Sequence, residues 1–220
     1  MCGRFTNALT WEQIYRLYQL TLDPPMNLRP RYNIAPTQDV LTIIGTEEGR
    51  RAVMMRWGLV PFWAKEIPKA STFNARAESI ADKPMWRDPF RKRRCIVVAD
   101  GFYEWTGKAT DRQPNYFTRA DGQPLSFAGL WDRNTALDIV SCTIVITEAN
   151  KQMRAFHDRM PVVLEEGDIG RWLAEPDASL LKPTKAELRI HPVSKAVNNV
   201  RNEGPDLSEP MGQDLLPGLI

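Results

Sequence analysis

The chain has 220 residues, 43% of them hydrophobic, enough for one large core or two small ones. Its net charge is only +2 at pH 7, too weak by itself to imply nucleic-acid binding, and no stretch approaches the ~20 consecutive apolar residues of a membrane-spanning helix. Three widely spaced cysteines and two histidines, with no Cys-x-x-Cys pair, make neither a disulfide framework nor a structural zinc site.

In chain order, the first residues are Met1-Cys2-Gly3-Arg4-Phe5. No apolar signal region precedes them, which predicts a cytoplasmic protein. Thr10-Trp11-Glu12-Gln13 reads as a capping box opening a helix on which Trp11, Ile14 and Tyr18 share a core-facing stripe with Leu17 alongside. Pro24-Pro25 is expected to end that helix. Short strands follow at Val40–Ile44, Val53–Trp57, Cys95–Ala99, Tyr116–Arg119, Leu125–Trp131, Ile139–Thr147 and Pro161–Leu164, each rich in β-branched, aromatic or aliphatic residues. Asp121-Gly122 signals a hairpin between two of them. Helical segments are predicted near Gly167–Ala174 and Thr184–Leu188, and the tail Asn202–Ile220 is expected to wrap the surface or fray. With no repeat or interdomain linker, the pattern predicts a β-rich α+β single domain over 2–220, its strands antiparallel or mixed and its few helices peripheral.

Cys2 is chemically unusual. Initiator methionine is trimmed when the next side chain is small, which would leave Cys2 with a free α-amine and a β-thiol on adjacent carbons. Such a pair captures an aldehyde: the amine forms an imine, sulfur adds to it, and a five-membered thiazolidine closes with the advantage of an intramolecular step. The competing reading keeps Met1 and makes Cys2 a small buried apolar side chain. Cys95 and Cys142 sit inside apolar strand runs and read as core.

Four local patterns place polar groups where a strand interior would not. These are Arg31-Tyr32-Asn33-Ile34-Ala35-Pro36-Thr37; Trp57-Gly58-Leu59-Val60-Pro61-Phe62-Trp63 with Phe73-Asn74-Ala75-Arg76-Ala77-Glu78; Asp100-Gly101-Phe102-Tyr103-Glu104-Trp105; and Phe156-His157-Asp158-Arg159-Met160-Pro161. Glu104 between two aromatics suits a general acid or base, or equally the wet face of an edge strand. His157 suits a proton shuttle or a structural hydrogen bond. Asn74 can orient an amine or a sugar oxygen, or simply serve a turn; His191 reads as structural. The positive charge comprises 20 Arg and 9 Lys, a bias toward the planar fork that grips phosphate, and the run Arg87–Arg94 (RDPFRKRR) is either a phosphate track or a solvated face.

Taken together, the start Met1-Cys2-Gly3-Arg4-Phe5 and the later motifs Tyr32–Pro36, Trp57–Pro61, Asn74–Glu78, Gly101–Trp105, His157–Pro161 and His191–Asn198 resemble the SOS-response-associated peptidase family over nearly the whole chain. The resemblance implies protection of abasic sites in single-stranded DNA by a thiazolidine crosslink through an N-terminal cysteine. On that basis Cys2 resembles the nucleophile, and Asn74 the residue holding the sugar and the amine. Glu104 resembles the acid/base beside the amine, and His157 the group that opens the sugar ring. Arg4 and Arg76 resemble phosphate-binding residues, while Asn33, Pro36, Trp57 and Trp63 are placed around the DNA cleft. Some members carry two adjacent tryptophans where this chain has Phe62-Trp63-Ala64, which leaves the stacking details open. The implied partner is abasic single-stranded DNA, bound by a monomer in the cytoplasm and at the nucleoid, with no cofactor, metal or membrane. An N-terminal-cysteine autopeptidase or amidohydrolase is the alternative, and a non-covalent single-strand-binding module the second.

Overall fold

A computed structural model describes residues 2–21, 27–108 and 111–211. In chain order the elements are β1 (Phe5–Asn7), α1 (Trp11–Tyr18), β2 (Arg31–Ile34), β3 (Asp39–Thr46), β4 (Gly49–Trp57), β5 (Asn74–Arg76) and α2 (Pro84–Lys92). They continue as β6 (Arg94–Ala99), β7 (Gly101–Thr106), β8 (Gln113–Arg119), β9 (Leu125–Asn134), β10 (Ile139–Glu148), β11 (Arg159–Pro161), β12 (Val163–Leu164), α3 (Glu166–Ala174) and β13 (Leu188–Pro192). This is the expected β-rich α+β domain with mixed sheets and peripheral helices.

Two sheets form. The five-stranded one runs β13-β8-β7-β1-β2, so the chain's first strand lies in its interior, between β7 and β2. The larger sheet runs β11-β10-β4-β3-β6-β9-β12, with β5 pairing β10. Within it β10 pairs both β4, in parallel, and β9, antiparallel, so β3, β4, β10, β9 and β6 close into a ring. Closure removes the exposed edges that five open strands would present.

Side-chain alternation then divides the core. Along β6, Cys95, Val97 and Ala99 pack with Phe5, Phe102 and Phe117 of the five-stranded sheet. Ile96 and Val98 face the other way, toward Ile14 and Tyr18 of α1, Trp86 and Phe90 of α2, and Ile169 and Trp172 of α3. Cys95 and Cys142 are fully buried core residues, as their runs implied.

The predicted capping box is present on α1, with Ile14 and Tyr18 buried and Trp11 and Leu17 packed at the margin. That helix ends at Tyr18 with Gln19 in the left-handed conformation, before Pro24-Pro25, which lie outside the described residues. Three expectations need correction. Asp121-Gly122 does turn the chain, with Gly122 at φ +74°, but β8 belongs to one sheet and β9 to the other, so it links sheets and closes no hairpin. Thr184–Leu188 is not helical: too short to nucleate behind Pro183, it bends at Ala186, whose N–H donates to Thr184 Oγ1, and its last residue opens β13. Pro161–Leu164 divides at Val162, where the chain leaves β10 for β9. Of the tail, residues through Met211 lie against the domain with Leu207 buried, and the rest is outside the described residues.

Candidate functional site

Because β1 sits between β2 and β7, the residues just before it are held by the centre of a sheet rather than left as a loose end. Phe5 pairs with Ile34 and Phe102, and the Tyr103 N–H donates to the Arg4 carbonyl at 2.9 Å, carrying the ladder toward Cys2. Cys2 is buried, 1% exposed, and its thiol reaches the Arg4 carbonyl at 3.9 Å. Burial first, and the neighbouring Glu104 charge second, push that thiol well above its ordinary value, so the sulfur is held as S–H.

The other wall comes from the larger sheet. The Ile144 N–H donates to the Phe73 carbonyl, seating β5 on β10 with Asn74 opposite Ile144. Asn74 Nδ2 donates to the Cys2 carbonyl at 2.9 Å, joining residues 72 positions apart. Its Oδ1 is buried and has no partner among the described residues. Arg76, two residues on and therefore on the same strand face, is exposed. Glu104 reaches the site from β7; it is 5% exposed and accepts from the Trp105 N–H at 3.3 Å. Cys2 ahead of β1, Asn74 at the start of β5 and Glu104 within β7 are thus brought together.

His157 stands on the turn into β11, whose Pro161 pairs with Ile146, the β10 residue that also pairs with Arg76. Its Nδ1 lies 2.9 Å from the Arg159 N–H and 2.8 Å from Asp158 Oδ1. Both contacts meet at Nδ1, the backbone N–H as a donor and the carboxylate as an acceptor, which leaves Nε2 outside these bonds. Arg159 in turn pairs with Glu78, which follows β5. Although partial burial alone would raise the Glu78 carboxyl, its own backbone and Arg159 hold it below the usual range. That bridge ties the His157 turn to the strand carrying Asn74 and Arg76.

Arg4 is committed on one side: Nη1 donates to Asn33 Oδ1 at 2.6 Å and to the Val197 carbonyl at 2.8 Å. Its guanidinium lies 5.8 Å from the Trp105 ring centroid, a cation–π contact. Burial lowers its pKa from the ordinary guanidinium value. Asn33 was expected along the cleft but is 1% exposed; its Nδ2 donates to the Asn199 and Asn202 carbonyls, so it supports Arg4 instead of meeting solvent. Trp57 needs the same correction. It is fully buried, donates through Nε1 to the Phe73 carbonyl at 2.8 Å, and packs edge-on against Phe5 and Phe73. No face of it is open to a base; it braces the strand end that delivers Asn74. Pro36 lines a surface groove with Thr37, Arg56, Ile67 and Lys69, and Trp63 is 55% exposed on the adjoining loop.

Sequence reasoning missed the residues that organise Arg4 and Trp105 from far along the chain. Asn198 Oδ1 accepts from Trp105 Nε1 at 2.7 Å, and Val197 supplies a carbonyl to Arg4. Both sit in the motif His191–Asn198, but nothing local assigns them these partners. The basic run also resolves: Arg94 is buried, donating to the carbonyls of Phe90, Arg91, Trp172 and Leu173, and Arg93 pairs with Asp132, so its end is structural. Among the described residues no group of three His, Cys, Asp or Glu side chains is placed to hold a metal ion.

A family model described as SOS response associated peptidase (SRAP) matches residues 1–200. The chain is 38% identical to the abasic site processing protein YoqW of Bacillus subtilis, over 95% of this chain and 99% of that one. It is 32% identical to the abasic site processing protein YedK of Escherichia coli, over 96% and 100%. A crystal structure of a protein from Bordetella bronchiseptica superposes with a TM-score of 0.75 at 30% identity, covering 88% of this chain and all of that one. One from Bacteroides thetaiotaomicron gives 0.81 at 24% identity, over 95% and 99%.

Proposed function

The chain belongs to the SOS response associated peptidase family, and from that membership we propose that it binds abasic sites in single-stranded DNA and crosslinks them through Cys2 once Met1 is removed. Its relatives YoqW and YedK are named abasic site processing proteins, which supports the substrate. The observation that carries the chemistry is the joining of Asn74 to the Cys2 backbone beside Glu104. In the unprocessed chain the Cys2 nitrogen is an amide and cannot attack. Processing converts it into an amine on the residue that Asn74 already holds, and Asn74 Oδ1, a buried acceptor with no partner among the described residues, is available to it.

An abasic deoxyribose is mainly a closed hemiacetal, and His157 is the acid that opens it. The amine then attacks the C1′ aldehyde and water leaves, with Glu104 carrying the protons, to give an imine. The amine acts first because the imine it forms is the electrophile that sulfur then meets. Sulfur next bonds to the imine carbon while its proton passes to nitrogen. The thiazolidine forms with net loss of one water, and the imine that would promote β-elimination is gone. Arg76 and Arg4 hold the backbone phosphates, and Trp63 offers a stacking face. The reading takes 2–220 as one domain acting as a monomer.

Denaturing electrophoresis of protein mixed with an abasic single strand tests this. A heat-stable adduct is expected from the processed wild type, and none from Cys2→Ala, which keeps an amine but has no sulfur. An adduct of equal stability from Cys2→Ala would defeat the reading, and Cys2-dependent peptide hydrolysis would favour a peptidase.

A further inference from the structure

After β4 the chain turns through Pro61-Phe62-Trp63-Ala64, closed by the Ala64 N–H donating to the Pro61 carbonyl at 3.0 Å. Phe62 and Trp63 are 53% and 55% exposed, two large apolar side chains side by side in water. Behind them lies an unusual polar strand face. Asp132 and Asn134 are two apart on β9 and so point the same way, and Ser141 of β10 pairs directly opposite Asp132. All three are buried. Inward strand positions ordinarily carry apolar groups, and buried polar ones are costly unless they find partners.

The partner is the turn. Asn134 Nδ2 donates to both the Pro61 and the Ala64 carbonyls at 2.8 Å. Asp132 Oδ2 accepts from the Phe62 N–H at 3.0 Å, and Ser141 Oγ accepts from the Val60 N–H at 2.8 Å. Asn134 is fixed in turn by the Leu137 N–H on its Oδ1, and Asp132 by the Arg133 N–H and by Arg93 at 3.1 Å. Four backbone groups of a five-residue loop are therefore bound by side chains that cannot move without leaving buried polar atoms unpaired. The loop continues to Ile67, which lines the groove containing Arg56 and Lys69 and no carboxylate.

We infer that Asp132 and Asn134 are positioning residues that hold the 60–64 turn in one shape, so that Trp63, with Phe62 beside it, is a rigid platform on which an unpaired DNA base stacks. An aromatic already fixed in place loses little rotational freedom on binding, and the cationic groove beside it suits the adjoining phosphates. The inference rests on the single-strand-DNA reading above and deepens it.

The test is a double-mutant cycle on affinity for an intact single-stranded oligonucleotide carrying 2-aminopurine, whose fluorescence reports stacking. Asn134→Ser should weaken binding about tenfold and reduce 2-aminopurine quenching, the scale of one lost base–aromatic stack. Asp132→Asn, which keeps an acceptor for the Phe62 N–H, should stay within about threefold of wild type. In a Trp63→Ala background the Asn134→Ser effect should shrink below about twofold, because the side chain it positions is absent. Equal weakening with and without Trp63, or no weakening from either substitution, would overturn the inference. Amide exchange on the wild-type protein provides a check independent of variant folding: the Phe62 N–H should be protected before DNA is added, and exchange at the rate of an unstructured amide would also overturn it. Wild-type crosslinking of an abasic strand, measured alongside, separates the two readings. Its absence with the affinity pattern intact would remove the covalent chemistry and leave the platform.

Discussion

Asn74 commits its Nδ2 to the Cys2 carbonyl and leaves Oδ1 buried with no partner among the described residues. Asn74→Ala should therefore slow crosslinking at saturating DNA about tenfold or more, while affinity for intact single strands changes little, because the missing contact matters mainly as the amine reacts. Single-turnover rates against equilibrium titrations check this, and equal losses in both would make Asn74 a binding residue only. Arg76 is exposed on the same strand face, so Arg76→Ala should weaken DNA binding and reduce the slope of log affinity against log salt by about one. An unchanged slope would take it off the phosphate track. Cys2, Asn74 and Glu104, which the structure brings together, were named in the sequence through the resemblance to the family, while their local patterns alone left Asn74 open to a turn role and Glu104 to the wet face of an edge strand. The burial of Asn33 and Trp57 was not, since an asparagine and a tryptophan read the same in a cleft and beneath it. Only their bonds, to the Asn199 and Asn202 carbonyls and to the Phe73 carbonyl, distinguish the two cases.

The elements show the same division between local and distant causes. The capping box on α1 is written in four consecutive residues and was found; Thr10→Ala should cost about 1 kcal/mol of stability by removing the acceptor for the Gln13 N–H. Helix α2 has a weak sequence signature because its second half, Arg87–Lys92, reads as a charge run, although Pro84 at its start and the buried Trp86 and Phe90 show why it folds and docks. The strand following it begins with Arg94, whose guanidinium joins the end of α2 to the end of α3 through four carbonyls. Arg94→Met should cost about 3 kcal/mol, seen as a lower urea midpoint, because it leaves those buried acceptors without a donor. A loss below 0.5 kcal/mol would mean water replaces the guanidinium. The chemistry of Asp121-Gly122 specifies a reversal, while the destination sheet is decided by which strands β8 and β9 find.

At the scale of the molecule, strand content and fold class followed from the alternating apolar runs, but ring closure through the parallel β4–β10 pairing had no local signature. That architecture places Cys2, Cys142, Tyr18 and Tyr116 in apolar surroundings, and burial, as the largest cause in each case, raises all four above their ordinary values of 9.0 for thiols and 10.0 for phenols. Above those values the unfolded chain gives up protons that the folded chain keeps, so the unfolded state binds fewer protons and stability falls as pH rises. Urea midpoints should be level with respect to these groups below about pH 8.5 and decline steadily above about pH 9, whereas a rise there would contradict the burial described. The whole arrangement, a first strand in the interior of a sheet presenting its leading cysteine to side chains from two others, makes sense if that cysteine is the reagent. Intact-mass measurement of the protein incubated with an abasic single strand tests that claim most directly. The account predicts one species: the chain without Met1 joined to uncleaved DNA, lighter than the sum of the two by one water, and lost when an uncleavable residue precedes Cys2. A stable adduct that persists with the N-terminus blocked, or one that retains Met1, would contradict it.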